Sequence, residues 1–350
     1  MNKFGKNITI EIFGESHSSK IGLIMSNLPK GLTIDLDLIN KNLSFRKGDD
    51  SISTPRREKD QLEFVSGINN GITNGENLKI IIENTDVQDT SFDGNIRPGH
   101  ADLVNYLRYN EYKQGGGLSS GRMTTLLVVA GTICQQILNK EGFIAKSFIR
   151  QIGKIKDESI FNKELFQRAD ESFSLIDKKI EKSMIEEIQR AQANKNSLGG
   201  IVESYINCPI KTLGEPFFDS FESILSHLIF SIPGINGIEF GEGFNSTNLL
   251  GSEYNDSIYY ENDEINYKTN HQGGLSGGMT NGNIINFKIS IRPTSSIGIT
   301  QDTINVLTKK NSQITINSRN DSCFVHRALH VINACCYIVL YDLLLEYNKR

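Results

Sequence analysis

The chain has 350 residues, of which 38% are hydrophobic and 22% charged. That length fits one large domain or two of about 100 to 200 residues, and the composition excludes disorder or a fibre as a description of the whole. Its 37 basic and 41 acidic side chains leave a formal charge of −4, the wrong sign for a general affinity for nucleic acid or anionic lipid, so an anion site has to be local.

Residues 8–13 alternate as a strand that ends at Gly14 and delivers Glu15, Ser16 and His17 into a loop. An Asp cap precedes helical spacing over residues 35–43, and residues 102–112 repeat the pattern before Gly115, Gly116 and Gly117. Over residues 122–138 apolar side chains occur nearly all round, the mark of a helix buried between layers. Gly131, Thr132, Gln135 and Gln136 interrupt that run, which falls short of the roughly 20 residues a membrane span needs. Residues 177–193 read as a charged outer helix and 201–206 as the strand after it, followed by strand, helix and strand again and by a strand over 284–291. A second long apolar helix is expected over 329–346, packed beside the first. No linker or repeat divides the chain, so one integrated domain over 1–350 is expected. The glycine-rich stretches 115–121 and 273–282 suggest a site assembled from distant segments. Cys134, Cys208, Cys323, Cys335 and Cys336 show no CxxC spacing and read as reduced thiols of a cytoplasmic protein; no signal-peptide-length apolar stretch opens the chain.

Several segments could carry chemistry. In GESHSSKIG, His17 follows a strand end, and imidazole is suited to proton donation near neutral pH, although a hydrogen-bonded loop histidine would look the same. In RPGHAD a Pro-Gly turn fixes His100 before a helix start, where Asp102 would serve as the cap. GGGLSSGR combines bare glycine amides with Ser119, Ser120 and Arg122, an anion cradle without the spacing of a P-loop, or else a tight structural turn. FRKGDDSISTPRRE places four basic residues in one short stretch beginning at Phe45, either an anion site or a solvated loop. The turn Arg292, Pro293, Thr294, Ser295, Ser296 ends a strand, and SRNDSCFVHR interleaves Asp321 with Arg319 and Arg327 just before the last helix. Such an acid is held ionised as a base or as an ion-pair partner. The six histidines do not combine with cysteines at zinc-site spacing, so no metal is expected, and neither a GxSxG elbow nor a GxGxxG turn after a strand occurs.

Taken together and in this order, GESHSSKIG, STPRREKDQLEFVSG, IENTD, RPGHADL, GGGLSSGRMT, NHQGGLSGGMTNG, RPTSSI and SRNDSC resemble the chorismate synthase family, and they spread over residues 14–323. The resemblance implies an α+β fold, a β-α-β sandwich with long central helices between antiparallel sheets, usually as a homotetramer. It implies a carbon–oxygen lyase that makes chorismate by anti 1,4-elimination of phosphate from 5-enolpyruvylshikimate 3-phosphate. That is the last step of the shikimate pathway, and it needs reduced FMN without net oxidation. By the same resemblance His17 gives a proton toward the departing phosphate, His100 holds the reduced flavin in its protonation state, and Asp321 assists removal of the ring hydrogen. Arg46, Arg122 and Arg327 would hold phosphate and carboxylate oxygens. Ser119, Ser120, Gly277, Arg319 and the turn formed by Arg292, Pro293, Thr294, Ser295 and Ser296 would contact the flavin. The expected partners are an anionic small molecule and, as external reductant only, NADPH, with neither nucleic acid nor membrane. The competing expectations are a degenerate relative that binds flavin or anion without turnover and a flavin reductase. The chain departs from the family pattern at Leu118, where an arginine is usual, and at Ser18, Ser51, Arg292, Asn320 and Ser322. Loss of the guanidinium at 118 implies weaker flavin binding.

Overall fold

The computed structural model describes residues 2–48, 52, 60–85, 92–316 and 321–349. Alternation of apolar and polar side chains builds the first sheet. Strands β1 (Lys3–Phe4), β2 (Thr9–Phe13) and β3 (Lys20–Ser26) are followed by helix α1 (Leu36–Lys47), β4 (Leu62–Ser66), the small hairpin of β5 (Ile68–Asn69) and β6 (Ile72–Thr73), and β7 (Leu78–Glu83). The five-stranded order is β1-β2-β3-β7-β4, antiparallel throughout. Ile21, Leu23 and Met25 on β3 and Leu78, Ile80 and Ile82 on β7 are fully buried at every second position, so one face of this sheet is core.

Helices α2 (Asp102–Tyr109) and α3 (Thr124–Leu138) come next, then β8 (Ile144–Ile152), β9 (Ile155–Lys156), α4 (Glu181–Ala193), β10 (Gly200–Asn207), α5 (Phe221–Ile229) and β11 (Ile235–Phe240). Short α6 (Gly251–Tyr254) and the hairpins β12 (Ile258–Glu261) with β13 (Glu264–Tyr267) and β14 (Leu275–Ser276) with β15 (Met279–Thr280) lead to β16 (Ile285–Ile291). Hairpin β17 (Gln301–Asn305) with β18 (Lys310–Ile314) and helix α7 (Val325–Tyr347) complete the chain. The second five-stranded antiparallel sheet is ordered β11-β16-β10-β8-β9.

Helices α3 and α7 form the middle layer: α3 meets β3 of the first sheet, α7 meets β8 and β10 of the second, and α1 packs on both helices. Every residue of 124–134 is buried, as the all-round apolar pattern requires. Helix α7 is long and apolar enough to cross a membrane, but 89% of its apolar window is buried inside the fold, so it serves as a core helix. The two helices close tightly at Gly131, where an added Cβ would stand 2.4 Å from the Cα, Cβ and carbonyl oxygen of Ala334. At the far end of α7 the buried Asp342 carboxylate accepts the backbone N–H groups of Lys6 (3.1 Å), Asn7 (2.6 Å) and Ile8 (2.9 Å), joining the two ends of the chain. All five cysteines are buried free thiols; burial pushes Cys208 up to about 11 and Cys323 up to about 12.

Several boundaries differ from the sequence reading. Helix α1 runs on to Lys47 rather than stopping at 43, which puts Arg46 in its last turn instead of a loop. Helix α2 stops at Tyr109 rather than 112, because Asn110 turns left-handed (φ 52°) and its N–H closes on the Tyr106 carbonyl. Helix α4 begins at Glu181, after a 3-10 turn over Lys178–Ile180 that Asp177 caps. Helix α7 begins at Val325 rather than 329, which puts Arg327 in its first turn instead of ahead of it.

Candidate active site

Elements from both halves of the chain end at one cavity of about 350 Å³. Among the described residues Arg46, Lys47, Arg122, Arg292 and Arg327 face it with two carboxylates, Asp60 and Asp321, so this lining is cationic inside an acidic chain. Arg46 sits in the last turn of α1; its Nε donates to Thr124 Oγ1 (3.0 Å) and its Nη2 to the Gly121 carbonyl (2.7 Å). Arg122 follows the glycine run, in a 3-10 turn where the Ser120 hydroxyl accepts the Arg122 N–H (3.3 Å). Its guanidinium pairs with the buried Asp60, and its Nε donates to Asn84 Oδ1 (3.0 Å). Asp60 also faces Lys47 Nζ at 3.5 Å, so one carboxylate holds two of the cations in place.

Across the cavity Arg327 pairs with Asp321 and donates from Nε to the Arg46 carbonyl (3.1 Å). Thr294 Oγ1 donates to the Asp321 carbonyl (2.8 Å), fastening the 292–296 turn to this acid. His100 enters from the loop before α2. Its Nε2 lies 2.6 Å from Ser296 Oγ and its Nδ1 3.0 Å from the Pro98 carbonyl. A carbonyl only accepts, so Nδ1 carries the proton, and in the neutral ring Nε2 accepts from Ser296. Burial first, and the nearby Arg97 guanidinium second, hold His100 below the usual histidine value of 6.5. Asp102, expected as a cap, instead takes Arg97 in a two-pronged pair (Nε and Nη2, each 2.7 Å), while Ala101 stands at the cap. An apolar wall containing Ile232, Pro233, Phe324 and Val331 completes the lining.

The chorismate synthase family model matches residues 8–345. A chorismate synthase of Dehalococcoides mccartyi is 37% identical over 354 residues, covering 99% of this chain and 97% of the relative. The chain belongs to the chorismate synthase family. A chorismate synthase of Thermococcus gammatolerans is 35% identical, covering 98% of this chain and 97% of its own length. A chorismate synthase crystal structure aligns with a TM-score of 0.76 at 24% identity over 98% of this chain and 93% of the other, which supports the α+β fold with its helices between antiparallel sheets.

Of the positions taken from chorismate synthase motifs, the fold brings Arg46, Arg122, Arg327, His100, Asp321, Ser120, Arg292, Thr294, Ser295 and Ser296 to the cavity. It does not bring all of them. Pro293 belongs to the same turn but is not a lining residue, and Ser119 and Leu118 are exposed outside the cavity. Gly277 is the turn of the β14 and β15 hairpin, and the neighbouring Gly278 packs on Glu215 and Ser220, so the stretch 273–282 is not part of this cavity. His17 is half-buried outside the lining, its ring over Gly115, where a Cβ would lie 2.2 Å from His17 Cδ2. Arg319, Asn320, Ser51 and most of the basic stretch after Lys47 lie outside the described residues. Asp60, Asn84 and the Arg97 and Asp102 pair escaped the sequence reading. The segment IENTD, which contains Asn84, helped to carry the resemblance but suggested no role for that residue.

Proposed function

We propose that the protein is a carbon–oxygen lyase that releases phosphate from 5-enolpyruvylshikimate 3-phosphate by anti 1,4-elimination, giving chorismate as the last step of the shikimate pathway. One observation carries this reading: His100, Asp321 and the guanidinium groups of Arg46, Arg122, Arg292 and Arg327, from distant segments, face a single cavity. A substrate with one phosphate and two carboxylates needs several forked donors, and guanidinium is the side chain whose geometry matches both anions. The cofactor expectation fits the same walls. The apolar surface of Ile232, Pro233, Phe324 and Val331 suits a flat ring system, and Ser120, Thr294, Ser296 and Arg292 offer donors to its polar edge and phosphate. Reduced FMN, when bound, supplies electron density as the bond between carbon and the phosphate oxygen breaks.

The remaining roles belong to the chain. The arginines neutralise charge that grows on the leaving phosphate, and burial strengthens that effect. Arg327 pairs with Asp321 and orients its carboxylate, which helps accept the ring hydrogen as a proton. His100, neutral with its proton on Nδ1, presents Nε2 and Ser296 as a hydrogen-bond pair that holds the flavin in one protonation state. His17 is the proton donor toward the phosphate. NADPH acts only as an external source of electrons. The buried thiols support a reducing, cytoplasmic setting, and the almost bare rings of Phe217, Phe218 and Phe244 support assembly of a homotetramer. The test is an anaerobic assay with purified protein, reduced FMN and 5-enolpyruvylshikimate 3-phosphate. Chorismate and phosphate are expected in equal amounts. Neither product at saturating flavin would leave a flavin- or anion-binding relative without turnover.

A further inference from the structure

His17 is outside the lining of the cavity to which it would deliver a proton, so something must fix its loop against the anion-binding wall. We propose that Asn84 is a positioning residue that ties the His17 loop to the Arg122 guanidinium, setting proton donor and phosphate clamp in one register. This rests on the lyase reading above, which gives His17 the proton and Arg122 the anion.

Asn84 directly follows β7, and its backbone N–H donates to the Ser19 carbonyl (3.0 Å), carrying the ladder one step beyond the Lys20 and Glu83 pair. Its buried side chain then works in two directions. The amide nitrogen donates to the carbonyl of Ser18 (2.7 Å) and approaches those of Glu15 (3.2 Å) and Ser16 (3.4 Å), the residues that flank His17 on both sides. The amide oxygen accepts from Arg122 Nε (3.0 Å). The contacts themselves orient the amide: a guanidinium only donates and a carbonyl only accepts, so the reversed amide would be wrong at every contact. Arg122 is thereby held at Nε by Asn84 and at Nη1 by Asp60, two acceptors that together set the plane of its fork. No other residue type of this size offers a donor and an acceptor in this arrangement. Aspartate keeps the acceptor for Arg122 but turns a bare oxygen toward the loop carbonyls.

A tie of this kind acts through other groups, so its loss should depend on them. Asn84→Ala is expected to lower kcat roughly tenfold to hundredfold, the usual cost of a misplacement near 1 Å, and to raise KM. In a His17→Ala background the same replacement is expected to cost kcat at least about threefold less than in the wild type, because the loop then has no proton donor to misplace and only the Arg122 side of the tie remains. Equal losses of kcat in the two backgrounds would mean a general structural effect and would overturn the proposal. Asn84→Asp, of the same shape, serves where the alanine variant folds poorly and should lose kcat in the same His17-dependent way. An arm without turnover reads the Arg122 side: inorganic phosphate should raise the thermal unfolding midpoint of the wild type more than that of Asn84→Ala, and equal shifts would overturn that half of the tie. If the wild type makes no chorismate, the lyase reading fails, while the phosphate arm still decides whether Asn84 sets Arg122.

Discussion

His100 is half-buried beside Arg97, and both its partial desolvation and that guanidinium disfavour the charged form, so its folded pKa lies below 6.5. The unfolded chain therefore binds this proton more readily than the native one as pH falls through that value, and folding stability declines from there down to the folded pKa. An NMR titration of the histidines should place His100 below 6.5, and His100→Gln should flatten that part of the stability profile. For turnover, His17→Ala and His100→Ala should each lower kcat about a hundredfold to ten-thousandfold while barely moving the unfolding midpoint, since these loop residues contribute protons and hydrogen bonds rather than packing. Near-normal rates across pH 5 to 8 in either variant would contradict its role. Asp321→Asn keeps the shape but not the charge that pairs with Arg327; normal elimination in that variant would exclude Asp321 as proton acceptor. His100 and Asp321, which line the cavity, each stand in a compact motif visible in the sequence, and so does His17, which lies outside the lining. Asp60 and Asn84 could not be found that way, because their partner Arg122 is 62 and 38 residues away and only the folded sheet brings them to it.

At the scale of elements, periodicity was a sound guide where burial is uniform. The all-round apolar runs of α3 and α7 announced core helices, and the alternation before Gly14 announced a strand. It failed at ends and at glycines. Helix α2 closes early at the left-handed Asn110, and the stretch 273–282 is a hairpin rather than a wall of the cavity, since glycine runs look alike whether they bind ligand or turn a chain. Gly131 shows what periodicity cannot reveal. Alanine is about 1 kcal/mol better than glycine inside a helix, yet its Cβ here would lie 2.4 Å from the Ala334 backbone, a clash that only a shift of α3 against α7 relieves. We expect Gly131→Ala to lose about 1 to 3 kcal/mol in denaturant unfolding. A variant more stable than the parent would show that the helices separate without penalty.

At the scale of the whole molecule, Asp342 joins the beginning of the chain to its last helix, with a separation of 336 residues to Lys6. Its carboxylate accepts three N–H groups in a buried site, so Asp342→Asn, which leaves an amide donor facing the Lys6 N–H, should destabilise the protein by about 1 to 3 kcal/mol. Equilibrium unfolding checks this; an unchanged midpoint would mean that the clasp carries no net stability. The consequence reaches back to synthesis. Helix α7 leaves the ribosome after all the other described elements, yet it packs on α1, α3, α5 and the strands β8 and β10. At about 5 to 20 residues per second, strands β8 and β10 must wait on the order of ten seconds or more for the helix that covers them, with bare apolar faces in the meantime. A nascent chain arrested before Val325 should stay protease-sensitive and bind chaperones, and protection should arrive abruptly once α7 and its Asp342 have emerged.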